Sequence, residues 1–278
     1  MKKSKIIVFV IIVLIVIPAG FFFYNTSKKT AFLLQVIETN GSYTKERVVF
    51  NSHGKNVYGL LIMLKQKEKV PAIIALPAAA GTKESREWYG QMFLEMGYAT
   101  LILDQRGIGE TDGAIVDLQQ DYEAYRKNEA VFQNLFVEDV TNAVNVLSRI
   151  KGIDKERIAV LGESMGGRYA IIAAARDKRL KAAFIISSSG FRTSSVDYYF
   201  NQFVASINPN EYISKISPRR VVMFHSDNDT VITLEDAQFT YSRANEPKEF
   251  VLVNGCEHGY CDVMYEKLKS NLNAVFKN

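Results

Sequence analysis

Residues 157–167, RIAVLGESMGG, run from a short apolar segment into a glycine-flanked serine and on toward a helical pattern. Residues 157–162 read as a buried strand, and a helix is expected after Gly166. A serine at such a junction occupies a sharp turn. Glycines on either side allow close backbone approach, the hydroxyl projects above the sheet, and the helix N-terminus points amide dipoles at any negative charge developing there. The G-x-S-x-G spacing alone is weak; the strand before it and the helix after it make Ser164 the candidate nucleophile.

Outward from this turn the chain alternates between short apolar runs and segments of helical period. Residues 46–52 and 56–65 flank His53-Gly54-Lys55 in the pattern of an antiparallel hairpin. Residues 71–77 (PAIIALP) and 98–104 (YATLILD) are apolar enough to be buried on both faces of a sheet, with a helical stretch at 84–96 between them. A helix near 134–150 precedes the nucleophile strand. Strands near 182–187, 219–225 and 248–253 follow it, with helices near 233–244 and from about 260. This alternation predicts an α/β fold with a mostly parallel, doubly covered sheet. Two stretches break the rhythm, about 107–133 and 187–218, both rich in Tyr, Phe, Asn and Ser. As insertions at the C-terminal ends of strands they would lie over the ligand crevice and shape the substrate site.

Serine is a weak nucleophile without a base, and the chain has three histidines. His53 falls in the first hairpin turn and His225 ends a strand. His258 lies in Gly255-Cys256-Glu257-His258-Gly259, a loop between the last strand and the last helix. A carboxylate must orient the base, and Asp227 and Asp229 both follow the strand at 219–225. Spacing does not choose between them. Serine, then acid, then histidine is the order of the α/β-hydrolase fold.

Over residues 45–278 the sequence resembles that superfamily, through Asp104 to Gly109, Asp154 to Ile158, Gly162 to Gly167, Asp227 to Val231 and Gly255 to Gly259. It looks most like the prolyl-oligopeptidase-like and dienelactone-hydrolase-like esterases and the acyl-aminoacyl peptidases. The resemblance implies Ser164 as nucleophile, His258 as general base and Asp229 as the acid, and it implies neither a metal nor an organic cofactor. Many members carry His-Gly-x after the third strand; here the run is Pro77-Ala78-Ala79-Ala80-Gly81. Because the oxyanion hole uses backbone N–H groups, alanines can serve, and Ala79 and Met165 are the first-choice donors.

Weaker motifs were weighed against these. Residues 107–113 (GIGETDG) follow a strand, but the third glycine of a dinucleotide loop falls one place late, and no G-x-x-x-x-G-K-[ST] phosphate loop occurs. Cys256 and Cys261 flank His258. Two unpaired thiols are the default expectation, a disulfide is permitted outside the cytoplasm, and a metal site of Cys256, His258 and Cys261 would consume the base.

Of the net charge of +4, Lys2, Lys3, Lys5, Lys28 and Lys29 supply five positive charges, and residues 1–29 contain no acid. The remaining 249 residues hold 29 basic and 30 acidic groups, so there is no bulk basic surface for nucleic acid. Residues 6–24 carry no charge and as a helix would span roughly 28 Å at ~1.5 Å per residue, the thickness of a bilayer core. The sequence therefore predicts an N-terminal membrane anchor over 1–29, with a single transmembrane helix at about 6–24. A connector at 30–44 and a catalytic domain at 45–278 follow. A one-lysine excess before the span favours a domain outside the cytoplasm. The expected activity is cleavage of a small-molecule or lipid-like carboxylic ester through an acyl-enzyme. The alternatives are a peptidase or amidase acting on a short peptide, and a catalytically silent hydrolase-fold binding module.

Overall fold

The computed structural model describes residues 30–193 and 195–277. They form a nine-stranded sheet in the order β1-β2-β3-β5-β4-β6-β7-β8-β9. β1 (Phe32–Thr39), β2 (Tyr43–Ser52) and β3 (Lys55–Leu64) are antiparallel, and β3 pairs antiparallel with β5 (Ala99–Leu103). From β5 through β4 (Val70–Leu76), β6 (Ile153–Glu163), β7 (Leu180–Ile186) and β8 (Arg220–Ser226) to β9 (Lys248–Val253) every pairing is parallel.

Burial on both faces explains the unbroken apolar runs of β4, β5 and β6. On one face Ile74, Leu101 and Val160 pack under α3 (Phe132–Leu147) and α4 (Met165–Arg176), with Val140, Val144 and Ile171. On the other, Ile73, Leu161 and Phe184 meet Phe93 of α1 (Glu87–Glu95) and Leu268, Leu272 and Phe276 of α7 (Tyr265–Phe276). α6 (Leu234–Ser242) follows β8 and is capped by the Thr233 hydroxyl on the Asp236 amide.

The segment 30–44 is not a simple connector, because it carries β1 and the start of β2. Leu33, Leu34, Val36 and Ile37 of β1 are exposed, and the register with β2 shifts between Val36 and Glu38. An exposed, bulged edge strand lacks the alternation that would announce it. Among the described residues no helix is long and apolar enough to cross a membrane, and the segment 6–24 lies outside them.

The two irregular stretches cover the C-terminal edge of the sheet together. The first holds α2 (Leu118–Arg126), whose N-cap Asp117 and Gln120 make a reciprocal capping box. The second holds α5 (Tyr198–Ile207), capped by Asp197, which also accepts a bond from the Tyr122 hydroxyl of α2. Tyr122, Val131, Phe203, Val204 and Ile207 form a small separate core beneath them.

A buried ion pair fixes the start of the first irregular stretch against α3 and β2. Arg106, just beyond β5, bonds Asp139 of α3 at 2.7 and 2.6 Å and the Ser52 carbonyl at 3.1 Å. Both side chains are buried, and burial holds the Asp139 carboxyl above its ordinary value although Arg106 pulls it down. Removing one partner leaves the other charge buried and unpaired. Asp139→Asn should therefore cost about 3 kcal/mol in urea denaturation; a loss below about 1 kcal/mol would show that water reaches the pair.

Candidate active site

Ser164 is the residue between β6 and α4, at φ 54° and ψ −117°. A non-glycine residue there costs about 1–3 kcal/mol unless its surroundings enforce it. They do. The Ser164 amide donates to the Ile186 carbonyl at 2.8 Å, and its own carbonyl accepts from Gly167 at 2.9 Å. A Cβ on Gly162 would stand 2.2 Å from the Gly166 carbonyl oxygen, and one on Gly166 would stand 2.2 Å from that of Leu76. Only glycine permits the helix to start this close to β4 and β6. Met165 opens α4, so its amide is among those the helix itself cannot pair.

Asp229 and His258 follow β8 and β9, on the same edge of the sheet as Ser164. His258 Nδ1 lies 3.0 and 2.9 Å from the two Asp229 oxygens. Asp229 Oδ1 also accepts from the amides of Val231 and Ile232, both at 2.9 Å. Burial alone would raise the Asp229 carboxyl, but the Ile232 amide, the His258 ring and the Val231 amide outweigh it and hold it below the usual carboxylate range. An ionised Asp229 accepts the proton on Nδ1, which leaves Nε2 of the neutral ring as the proton acceptor.

The loop carrying His258 is fastened at several points. The Ser187 hydroxyl, at the end of β7, accepts from the Gly259 amide at 3.0 Å. Ser226 donates to the Cys256 carbonyl, and Asp227 accepts from the Gly255 amide at 3.2 Å. Asp227 thus fixes the loop and does not touch His258. Glu163, beside Ser164, comes so close to Gly259 that a Cβ there would stand 2.8 Å from its Oε1. The residue before the serine therefore meets the residue after the histidine. Arg86 and Tyr89 hold the Glu163 carboxylate from the other side, at 3.0 to 3.2 Å.

Cys256 and Cys261 form a disulfide across the histidine loop, against the default expectation of two free thiols. His53 sits in its hairpin turn against Glu138, away from these groups. His225 is buried directly behind Asp229. Its Nε2 bonds the Ile232 carbonyl at 3.0 Å, and burial depresses its pKa, so the ring is neutral at pH 7.

Ala79 and Met165 line one cavity of about 380 Å³, with Ile108, Ile115, Phe132 and Phe191 among its apolar walls. The loop bearing Ala79 is set by buried polar groups. Gln105 donates to the carbonyls of Pro77 and Ala78 at 2.8 and 3.3 Å. Lys83 bonds Asp104 at 2.7 Å through both its amide and its ammonium. Burial pulls that ammonium down, but Asp104, Glu110 and Glu84 outweigh it and hold it well above the usual lysine value. Residues 107–113, weighed as a dinucleotide loop, fold back instead. A Cβ on Gly109 would meet the Asp104 carboxylate at 2.3 Å, and the Glu110 amide already donates to that carboxylate at 3.0 Å.

Sequence reasoning missed Gln105, Glu163, Ser187 and His225. Their signal was faint: polar residues placed at the C-terminal ends of strands otherwise buried on both faces.

The acetyl xylan esterase family model matches residues 31–188, more than half of the chain. The chain belongs to the acetyl xylan esterase family. A second model, for the C-terminal part of BAAT and acyl-CoA thioester hydrolases, matches residues 137–274. YfhR of Escherichia coli K12 is 26% identical over 147 residues, 50% of this chain and 51% of that protein. The 2,6-dihydropseudooxynicotine hydrolase of Paenarthrobacter nicotinovorans is 30% identical over 155 residues, 56% of this chain and 37% of that enzyme. The chain thus spans about half or less of these two relatives. An acetyl xylan esterase from Paenibacillus sp. R4 superimposes with a TM-score of 0.77 at 18% identity, covering 89% of this chain and 90% of the other. The shared architecture is the α/β-hydrolase fold, and the family is one of serine-esterase-like hydrolases.

The two aspartates make different contacts and should respond differently. Asp229→Asn removes the acceptor that fixes Nδ1–H and should lower turnover of an activated ester by about 10⁴-fold with the fold intact. Asp227→Asn, which disturbs only the Gly255 tie, should cost less than about tenfold. The reverse ranking in steady-state kinetics would transfer the orienting role to Asp227.

Proposed function

We propose that the chain is a membrane-anchored serine hydrolase that cleaves a carboxylic ester through Ser164, His258 and Asp229. The observation that carries this reading is the two-point contact between Asp229 and the His258 ring, in a loop that reaches back to the turn bearing Ser164. Ser164 Oγ attacks the ester carbonyl as His258 Nε2 takes its proton, and the carbonyl oxygen becomes an oxyanion. The amides of Ala79 and Met165 stabilise that charge, helped by the N-terminus of α4. Collapse of the intermediate expels the alcohol, which takes its proton from His258, and leaves an acyl-enzyme. Water, deprotonated by the same ring, then attacks the acyl carbonyl, releases the acid and restores Ser164. Asp229 keeps the tautomer and stabilises the imidazolium in both halves.

Membership of an esterase family favours an ester over a peptide bond. The apolar walls of the cavity suit a small-molecule or lipid-like acyl or alkyl group. Residues 6–24 act as the anchor, and the lysines before them favour a domain outside the cytoplasm, where the Cys256–Cys261 disulfide would persist.

A fluorophosphonate probe should label the wild-type chain and not Ser164→Ala, and that variant should lose ester turnover while remaining folded. Residual turnover within about tenfold of wild type would remove Ser164 from the mechanism. The full-length chain should stay with membranes after a carbonate wash; release into the supernatant, or a mature N-terminus beyond Gly20, would refute the anchor.

A further inference from the structure

Arg168 lies in the first turn of α4, four residues after Ser164, and lines the cavity with Ala79 and Met165. Its Nε donates to the Ser189 carbonyl at 3.1 Å, and its guanidinium lies 4.4 Å from the centre of the Phe191 ring. Neither contact neutralises its charge. Two arginines line the cavity beside Ala79 and Met165, and their situations differ. Arg106 is neutralised by Asp139, whereas among the described residues no carboxylate pairs with Arg168. The cavity lining contains no Asp or Glu at all. The nearby Asp121 is committed to the amides of Phe132 and Gln133 at the start of α3. Burial pulls the Arg168 guanidinium below its ordinary value, the signature of a cation deprived of water without receiving an anion in exchange.

A half-buried cation held against an aromatic ring, in a cavity with no acid in its lining, is a poor surface for a wholly neutral substrate. With Nε engaged by Ser189, the outer edge of the guanidinium still presents two N–H groups in the fork that matches a carboxylate. We propose that Arg168 recognises a carboxylate carried by the substrate, so that the preferred esters are half-esters of short dicarboxylic acids, with the free acid on Arg168 and the ester carbonyl at Ser164. Ser164 stands immediately before α4 and Arg168 in its first turn, so the chains to test between the two groups are short ones, succinyl and glutaryl. This inference rests on the serine-hydrolase reading for its reaction and on the cavity alone for its ligand.

The test uses two p-nitrophenyl esters with five-carbon acyl chains, the hemiglutarate and the valerate, on the full-length chain. Wild type should favour the hemiglutarate by at least about tenfold in kcat/KM, with the preference carried mostly in KM and weakened by salt. In Arg168→Met the ratio should fall to one or below, and Arg168→Lys should restore part of it. A purely structural role would lower both esters alike and leave the ratio unchanged, which would overturn the proposal, as would a wild-type ratio near one. Binding separates the two readings. Calorimetry with Ser164→Ala and monomethyl glutarate should show binding that weakens at least about tenfold when Arg168→Met is added. Equal affinity in both variants sinks the role of Arg168. Continued hydrolysis by Ser164→Ala sinks the catalytic reading, while the binding result still judges Arg168.

Discussion

The close approach of α4 to the ends of β4 and β6 is the constraint from which the rest of the site follows. It requires glycine at 162 and 166, and it forces Ser164 into a region of backbone space that a serine enters only under compulsion. The compulsion is structural: two hydrogen bonds hold Ser164, one to Ile186 of β7 and one from Gly167 of α4, and the strands on either side are buried on both faces. The strain is therefore opposed by the whole core. A hydroxyl placed in this way is exposed above the sheet edge at the start of a helix, where an anionic intermediate gains most from unpaired amides.

The second requirement is a histidine that arrives from a different strand with little freedom. Loops are ordinarily the mobile part of a domain, and the loop after β9 is held by three ties to the ends of β7 and β8 and closed by a disulfide. Each tie uses a small polar side chain on backbone, which fixes position at low entropic cost. The electrostatics behind the ring are arranged to the same end. Asp229 keeps its charge in a buried place because two amides and the imidazole share it. His225 lies within 3.8 Å of Asp229, and its burial keeps it neutral, so it does not compete for the carboxylate as a second cation.

The central strands and the serine turn were legible because each is written in residues adjacent in the chain. Apolar runs specify strands, and glycine spacing specifies the turn. What escaped was written across distance. β1 is an exposed edge strand whose only partner is β2, so its residues carry no burial pattern. The ties from Ser187 to Gly259 and from Gln105 to Pro77 join residues 72 and 28 positions apart, and a lone Ser or Gln at a strand end does not announce them. Cys256 and Cys261 were visible as a pair, but whether they join depends on the path of the loop between them. Asp227 and Asp229 could be separated only once the turn after β8 sent one to Gly255 and the other to His258.

The charges around the cavity form a pattern no single residue suggests. The negative charge of Asp229 is buried behind His258, Asp139 is spent on Arg106 and Asp121 on the amides at the start of α3. On the open side remain the start of α4, the amides of the alanine loop and Arg168. These three acids are each matched to donors of their own, and the cavity lining holds Arg168 without a paired carboxylate. Backbone N–H groups at the start of a helix are the kind of donor that favours the oxyanion of an acyl transfer. A half-buried cation in the first turn of α4, with no carboxylate paired to it among the described residues, bears less on that oxyanion than on binding. It changes instead which ground state binds, because an anionic group placed on Arg168 gains an interaction that a neutral chain of the same length lacks.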